Sequence, residues 1–97
     1  MANGLGTATI DFGASPGSNE ASIVVTGLGT ISATSKVEAY IMGDDTTADH
    51  TAADHRYIAA LIGLTCGTPI AATGFTIYGR STQKIQGTFA LRYVWSD

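Results

Sequence analysis

At 97 residues, 44 % of them hydrophobic, the chain has the length of one domain and the apolar content for one core. Only 13 % of its residues are charged, five cations against eight acids for a formal net charge of −3, where soluble domains typically carry about 25 %. So few scattered cations cannot neutralise a run of phosphates, which excludes duplex nucleic acid as a partner, and no apolar stretch reaches the ~20 residues of a membrane helix.

The opening Met1-Ala2-Asn3-Gly4-Leu5-Gly6 lacks a basic and then an apolar segment, so no secretory signal is expected. Thr7–Phe12 alternates as a first strand with Ile10 and Phe12 on one face, and it ends in the turn-rich Gly13-Ala14-Ser15-Pro16-Gly17-Ser18-Asn19. Ala21–Thr26 is β-branched and predicts a second strand. Gly27-Leu28-Gly29-Thr30 turns the chain and echoes Gly4-Leu5-Gly6-Thr7, but no third copy follows and no repeat architecture is expected. Lys36–Met42 alternates with Val37, Ala39 and Ile41 on one face and Glu38 and Tyr40 on the other.

A polar segment, Asp44 to His55, comes next. Thr51 followed three residues later by Asp54 matches the acidic form of a helix capping box, so one short helix is expected near 46–55. Ile58–Cys66 is apolar enough to predict a strand buried on both faces, with Gly63 arguing against a continued helix. Phe75–Gly79 and Lys84–Trp95 predict a C-terminal hairpin around a polar loop, Arg80-Ser81-Thr82-Gln83. Its return strand sets Phe89, Leu91, Tyr93 and Trp95 on one face, which belongs over a core. Six or seven short strands predict a single all-β domain, 1–97, built as an antiparallel β-sandwich or jelly-roll-like barrel.

Candidate chemistry concentrates at Asp49-His50 and Asp54-His55. Two imidazoles and nearby carboxylates are divalent-metal ligand types. A spacing of five, however, turns the two rings about 140° apart on a helix, and helical zinc pairs use a spacing of four. Gly43-Asp44-Asp45 copies a polymerase tripeptide in a chain too short for a polymerase. Asp44, Asp45 and Asp49 are hard ligands for calcium but lack the spacing of a calcium loop. Cys66 is the lone cysteine, so one chain completes neither a disulfide nor a thiolate zinc site. It sits at the end of an apolar run, where inert thiols are common, and a reducing or intracellular assembly site fits. Asp11 or Glu20 with Glu38 supplies a carboxylate pair of the kind glycosidases use, as any acidic chain does. No nucleophile elbow, phosphate loop or dinucleotide fingerprint occurs. The expectation is therefore a protein that is not an enzyme, with no catalytic residue, no metal ligand and no cofactor.

Two features point to contact with other protein. Ala, Thr, Gly and Ser fill positions where a freestanding domain carries Lys and Glu. Charge is also uneven: one cation and seven acids precede Arg56, and four cations and one acid follow from there. If the halves form separate faces, copies meet acidic to basic; in a sheet protein the halves can instead interleave. Phe12, Phe75, Phe89, Tyr93 and Trp95 are expected in the core. Exposed Tyr40, Tyr57, Tyr78 or Trp95 would instead suit a sugar platform or a subunit contact.

Thr9-Ile10-Asp11-Phe12-Gly13 with Pro16–Ser22, Ala48-Asp49-His50-Thr51, Gly74–Ser81, Gly87-Thr88-Phe89 and Arg92-Tyr93-Val94-Trp95 together resemble small proteins encoded by tailed bacteriophages and prophages. The resemblance spans nearly the whole chain and carries over no catalytic or metal-binding residue. It implies a virion structural protein, assembled in the bacterial host cytoplasm. The leading expectation is a capsid decoration or cement protein, a homo-oligomer such as a trimer. Its partners would be itself and other virion proteins such as the major capsid protein, not nucleic acid or membrane. A tail or fibre-base component is the alternative within the virion, and a receptor- or carbohydrate-binding module the alternative outside that class. A binding module needs a concave aromatic and polar patch, whereas a cement protein needs broad contact surfaces.

Overall fold

The alternating stretches form two three-stranded antiparallel sheets packed face to face, in a computed structural model that describes residues 2–97. Strands β1 (Asn3–Asp11), β2 (Ser18–Val25) and β3 (Lys36–Ile41) precede helix α1 (Ala52–Ala59); β4 (Ile62–Cys66), β5 (Phe75–Ile85) and β6 (Thr88–Ser96) follow. One sheet has the order β1-β6-β3, the other β2-β5-β4. β1 lies against β2 along one side of the sandwich, and β3 against β4 along the other, where α1 also packs. The β-sandwich expected from the sequence is therefore the observed fold.

The core lies between the two central strands. Ile77 of β5 and Phe89 and Leu91 of β6 are fully buried, with Ile10 and Phe12 beside them and Tyr93 and Trp95 toward the end of β6. Each such side chain contributes about 1.5–3 kcal/mol relative to exposure. Exposed Tyr40, Tyr57 and Tyr78 stay outside, so of the four candidate surface aromatics only Trp95 is internal. Its ring lies across Gly4, the residue directly opposite it on β1; a Cβ on Gly4 would sit 2.6 Å from Trp95 Nε1. Tyr93 covers Gly6 in the same way. Aromatic rings folded over cross-strand glycines complete the sheet surface that the glycines leave bare. The last residue is held within the chain: Asp97 accepts hydrogen bonds from Ala2 N–H and the Ser35 hydroxyl.

Four expectations are corrected. The C-terminal hairpin does not form: Arg80 to Gln83 continue β5, and β5 and β6 belong to different sheets. Gly79 and Ser81 occupy interior positions of β5, and such small residues conceal the alternation from a hydropathy pattern. The turn falls instead at Gln86-Gly87, where Gly87 has φ +89°, a conformation glycine adopts without strain. The helix occupies 52–59 rather than 46–55, because Thr51 is its N-cap and the residues before it are engaged elsewhere. Ile58 and Ala59 thus end the helix and do not begin a strand. β4 is an outer strand of its sheet, with exposed Gly63 and Thr65 between more buried Ile62, Leu64 and Cys66, so only one of its faces is covered.

Both sheets mix strands from the acidic and basic halves of the sequence: β6 of the second half lies between β1 and β3 of the first, and β5 and β4 of the second half lie beside β2 of the first. The uneven charge along the chain does not become an acidic face and a basic face. The two Gly-Leu-Gly-Thr segments also differ: the first is strand and the second a turn.

Candidate functional site

The Asp- and His-rich segment lies along the edge of β6 that β3 leaves uncovered. In β6 the odd-numbered residues face β1, as Phe12 N–H donating to the Gly87 carbonyl shows; the even-numbered ones face β3, as Met42 N–H donating to the Ala90 carbonyl shows. At Gly43 the chain leaves the sheet, and residues 47–55 take over the vacated edge with side chains. His50 Nε2 lies 2.9 Å from the Gln86 carbonyl oxygen. Asp49 Oδ2 accepts the Thr88 N–H at 3.1 Å. The Thr47 hydroxyl lies 2.8 Å from the Thr88 carbonyl oxygen and 2.9 Å from Asp49 Oδ1, and it donates to one of them at a time. His55 Nε2 accepts the Ala90 N–H at 2.9 Å. Four backbone groups that a strand would satisfy are within hydrogen-bond distance of four side chains, and at Ala90, where the bond is buried, such a partner is required.

The rings do a second job. His50 stacks on Phe89 with centroids 4.2 Å apart, and His55 meets the same ring edge-on at 5.3 Å. His55 is fully buried, and its Nδ1 lies 2.8 Å from the Thr51 carbonyl oxygen. This pattern assigns the proton to Nδ1 and leaves Nε2 as the acceptor for Ala90. Both nitrogens of His55 are thus committed to backbone, and a metal would have to displace one of them. His50 Nδ1 faces Asp54 Oδ2 at 3.2 Å, while Asp54 also closes the capping box with Thr51. The Thr88 hydroxyl and the other hydrogen bonds hold the Asp49 carboxyl down at about 2; Asp54 is also lowered, first by the Thr51 N–H and then by His50. Among the described residues every buried side-chain nitrogen and oxygen has a partner, so this segment presents no orphaned group to a ligand.

The other candidates are dispersed. Asp11 and Glu38 stand on one sheet opposite Thr88 and Val94, six residues apart along β6 and hence about 20 Å. Glu20 is on the other sheet. These separations rule out the carboxylate pairs considered for glycoside cleavage. Cys66 is half-buried in β4, and burial, with Glu38 nearby, pushes its thiol up, away from the thiolate that a nucleophile needs.

One groove opens on the outer face of the β2-β5-β4 sheet. Cross-strand rows place Glu20, Arg80 and Gly63 side by side, and Ser22, Tyr78 and Thr65 beside them. Tyr78 and Arg80 stand two residues apart on β5 as walls around a cavity of about 770 Å³. Arg80 forms an ion pair with Glu20 across the strands, and Gly63 leaves the space beside it empty. Sequence reading placed Arg80 in a loop and so missed this row. Alternation continued past Gly79 was the signal that could have found it.

Compared with protein-family models, curated proteins and solved structures, the chain matches none.

Proposed function

We propose that this chain is a non-enzymatic structural subunit of a tailed-phage virion, a capsid decoration or cement protein that stabilises the shell through contacts with its neighbours. The supporting observation is the character of its outer surfaces. Leu5 and Tyr40 stand exposed on one sheet, Val24 and Tyr78 on the other. The second sheet's outer face carries the Arg80–Glu20 pair and, toward the end of β5, Lys84, among Ser22, Thr65 and Thr76. Such a face loses little hydration when covered, and weak contacts repeated over a lattice add through avidity. The test is gradient-purified virions of the phage or prophage that encodes the chain, separated into heads and tails and analysed by quantitative mass spectrometry. Many copies per head support the reading. Recovery only with tails replaces it with the tail component, and absence from particles overturns both.

The groove beside Tyr78 favours a second reading, a saccharide-binding module. An exposed ring stacks on the apolar face of a sugar, and the paired Arg80 and Glu20 offer donors and acceptors to neighbouring hydroxyls without a net charge. A glycan array separates the two: binding that disappears in Tyr78→Ala supports the module, and no binding removes it.

A further inference from the structure

The sandwich has four strand edges, and three are guarded. β2 is interrupted by a register shift between Ser18 and Glu20 and carries the Glu20 charge. β3 bears Lys36 and Glu38, and α1 packs against it. β4 is five residues long and lies under the same helix. Short edges, charges, bulges and covering helices are the devices that keep sheet edges from pairing with other chains.

Of these devices β1 has only a charge at its last residue, Asp11. It runs for nine residues without a register shift, and from Asn3 to Ile10 it carries no charge and no proline. It lies on the side of the sandwich away from the helix. Its even-numbered residues turn their backbone groups toward β6, as the hydrogen bonds at Ala2 and Phe12 show. The N–H and C=O groups of Asn3, Leu5, Thr7 and Thr9 therefore point outward, and among the described residues none of them has a hydrogen-bond partner. Leu5, in this row, is 74 % exposed.

We infer that β1 pairs antiparallel with β1 of a second copy, joining two β1-β6-β3 sheets into one continuous six-stranded sheet. The inference deepens the reading of the chain as a contact-forming subunit and rests on it for its biological purpose. An outward row of backbone groups asks for another extended chain, and three points favour a copy of this one. With Thr7 on the two-fold axis each residue i faces residue 14 − i, so the strand's one charge, Asp11, meets Asn3 and no like charges are opposed. Placing Thr7 on the axis pairs all nine residues and forms about ten backbone hydrogen bonds. Finally, a strand of roughly 30 Å on a sandwich about 20 Å deep covers on the order of 600 Å² per copy, which reaches the ~1,200 Å² lower bound of stable interfaces.

Light scattering coupled to gel filtration, on the purified chain over a range of concentrations, tests this directly. The expected result is a dimer. Thr7→Lys and Thr7→Glu each place like charges at the axis on an exposed position and raise the dissociation constant at least tenfold. Mixing the two variants restores a dimer, whereas unfolding would not be rescued by mixing. A monomer at every concentration, a trimer, or a wild-type dimer unaffected by either variant overturns the inference. None of these results bears on whether the chain is found in virions, so the failure of one reading is distinguishable from the failure of the other.

Discussion

His55 Nε2 accepts the Ala90 N–H at 2.9 Å, at the place along β6 where β3 would have supplied its next carbonyl. The imidazole does the work of a strand that has already turned away. Its removal leaves a buried donor without a partner, at about 1–3 kcal/mol, and a cavity against Phe89.

His55→Ala should therefore cost about 2–4 kcal/mol in urea unfolding. His50→Ala removes a ring at a more exposed position and should cost distinctly less. An equal or reversed order would show that the stacking on Phe89, which both rings share, outweighs the bond to Ala90.

Gly6 and Gly29 hold the same place in the two Gly-Leu-Gly-Thr segments yet should respond with opposite signs. A Cβ on Gly6 runs into the Tyr93 ring, whereas one on Gly29 meets nothing within 4 Å. Gly6→Ala is expected to destabilise by about 1–3 kcal/mol through overpacking. Gly29→Ala should stabilise by about 0.4–1 kcal/mol, because it restricts the unfolded chain. Thermal melts of the two variants decide the matter, and equal shifts would mean that Tyr93 moves aside without cost.

Burial raises the Cys66 thiol, so little thiolate is present at neutral pH. Alkylation by iodoacetamide at pH 8 should run several-fold slower than for free cysteine and reach the free rate in denaturant. A native rate at or above that of free cysteine would reopen a nucleophilic role for this residue.

What the sequence made legible was local. β3 and β2 were readable because their alternation is uninterrupted, and the capping box because Thr51 and Asp54 lie within one turn. The reading failed where identity and position separate. Gly79 and Ser81 point into the core but carry no hydrophobic signal, so a single strand looked like a hairpin with a polar loop. The polar segment was found as the place where chemistry-bearing residues gather, yet its role depends on β3 stopping at Gly43 and on β6 arriving alongside. Asp49 and Thr88 are 39 positions apart, a separation no local pattern records. The outward row of β1 was likewise invisible until its partner strand identified which residues face away.

Asp49 makes the stability of this edge depend on acid. Its folded carboxyl sits at about 2, below the ordinary 3.8, first because of the Thr88 hydroxyl. A group lowered on folding contributes stability that is present above the unfolded value and is lost as pH falls through the folded one. The melting temperature should therefore be flat above pH ~5 and drop between pH ~4 and 2. Asp54 and Asp97 are also lowered, by hydrogen bonds at Thr51 and Ala2, and add to the same slope. Asp49→Asn should melt lower than wild type at pH 7 and show a shallower loss on acidification, so that the two curves converge near pH 2. Parallel curves would mean that the Asp49 carboxylate is not what ties the polar segment to β6.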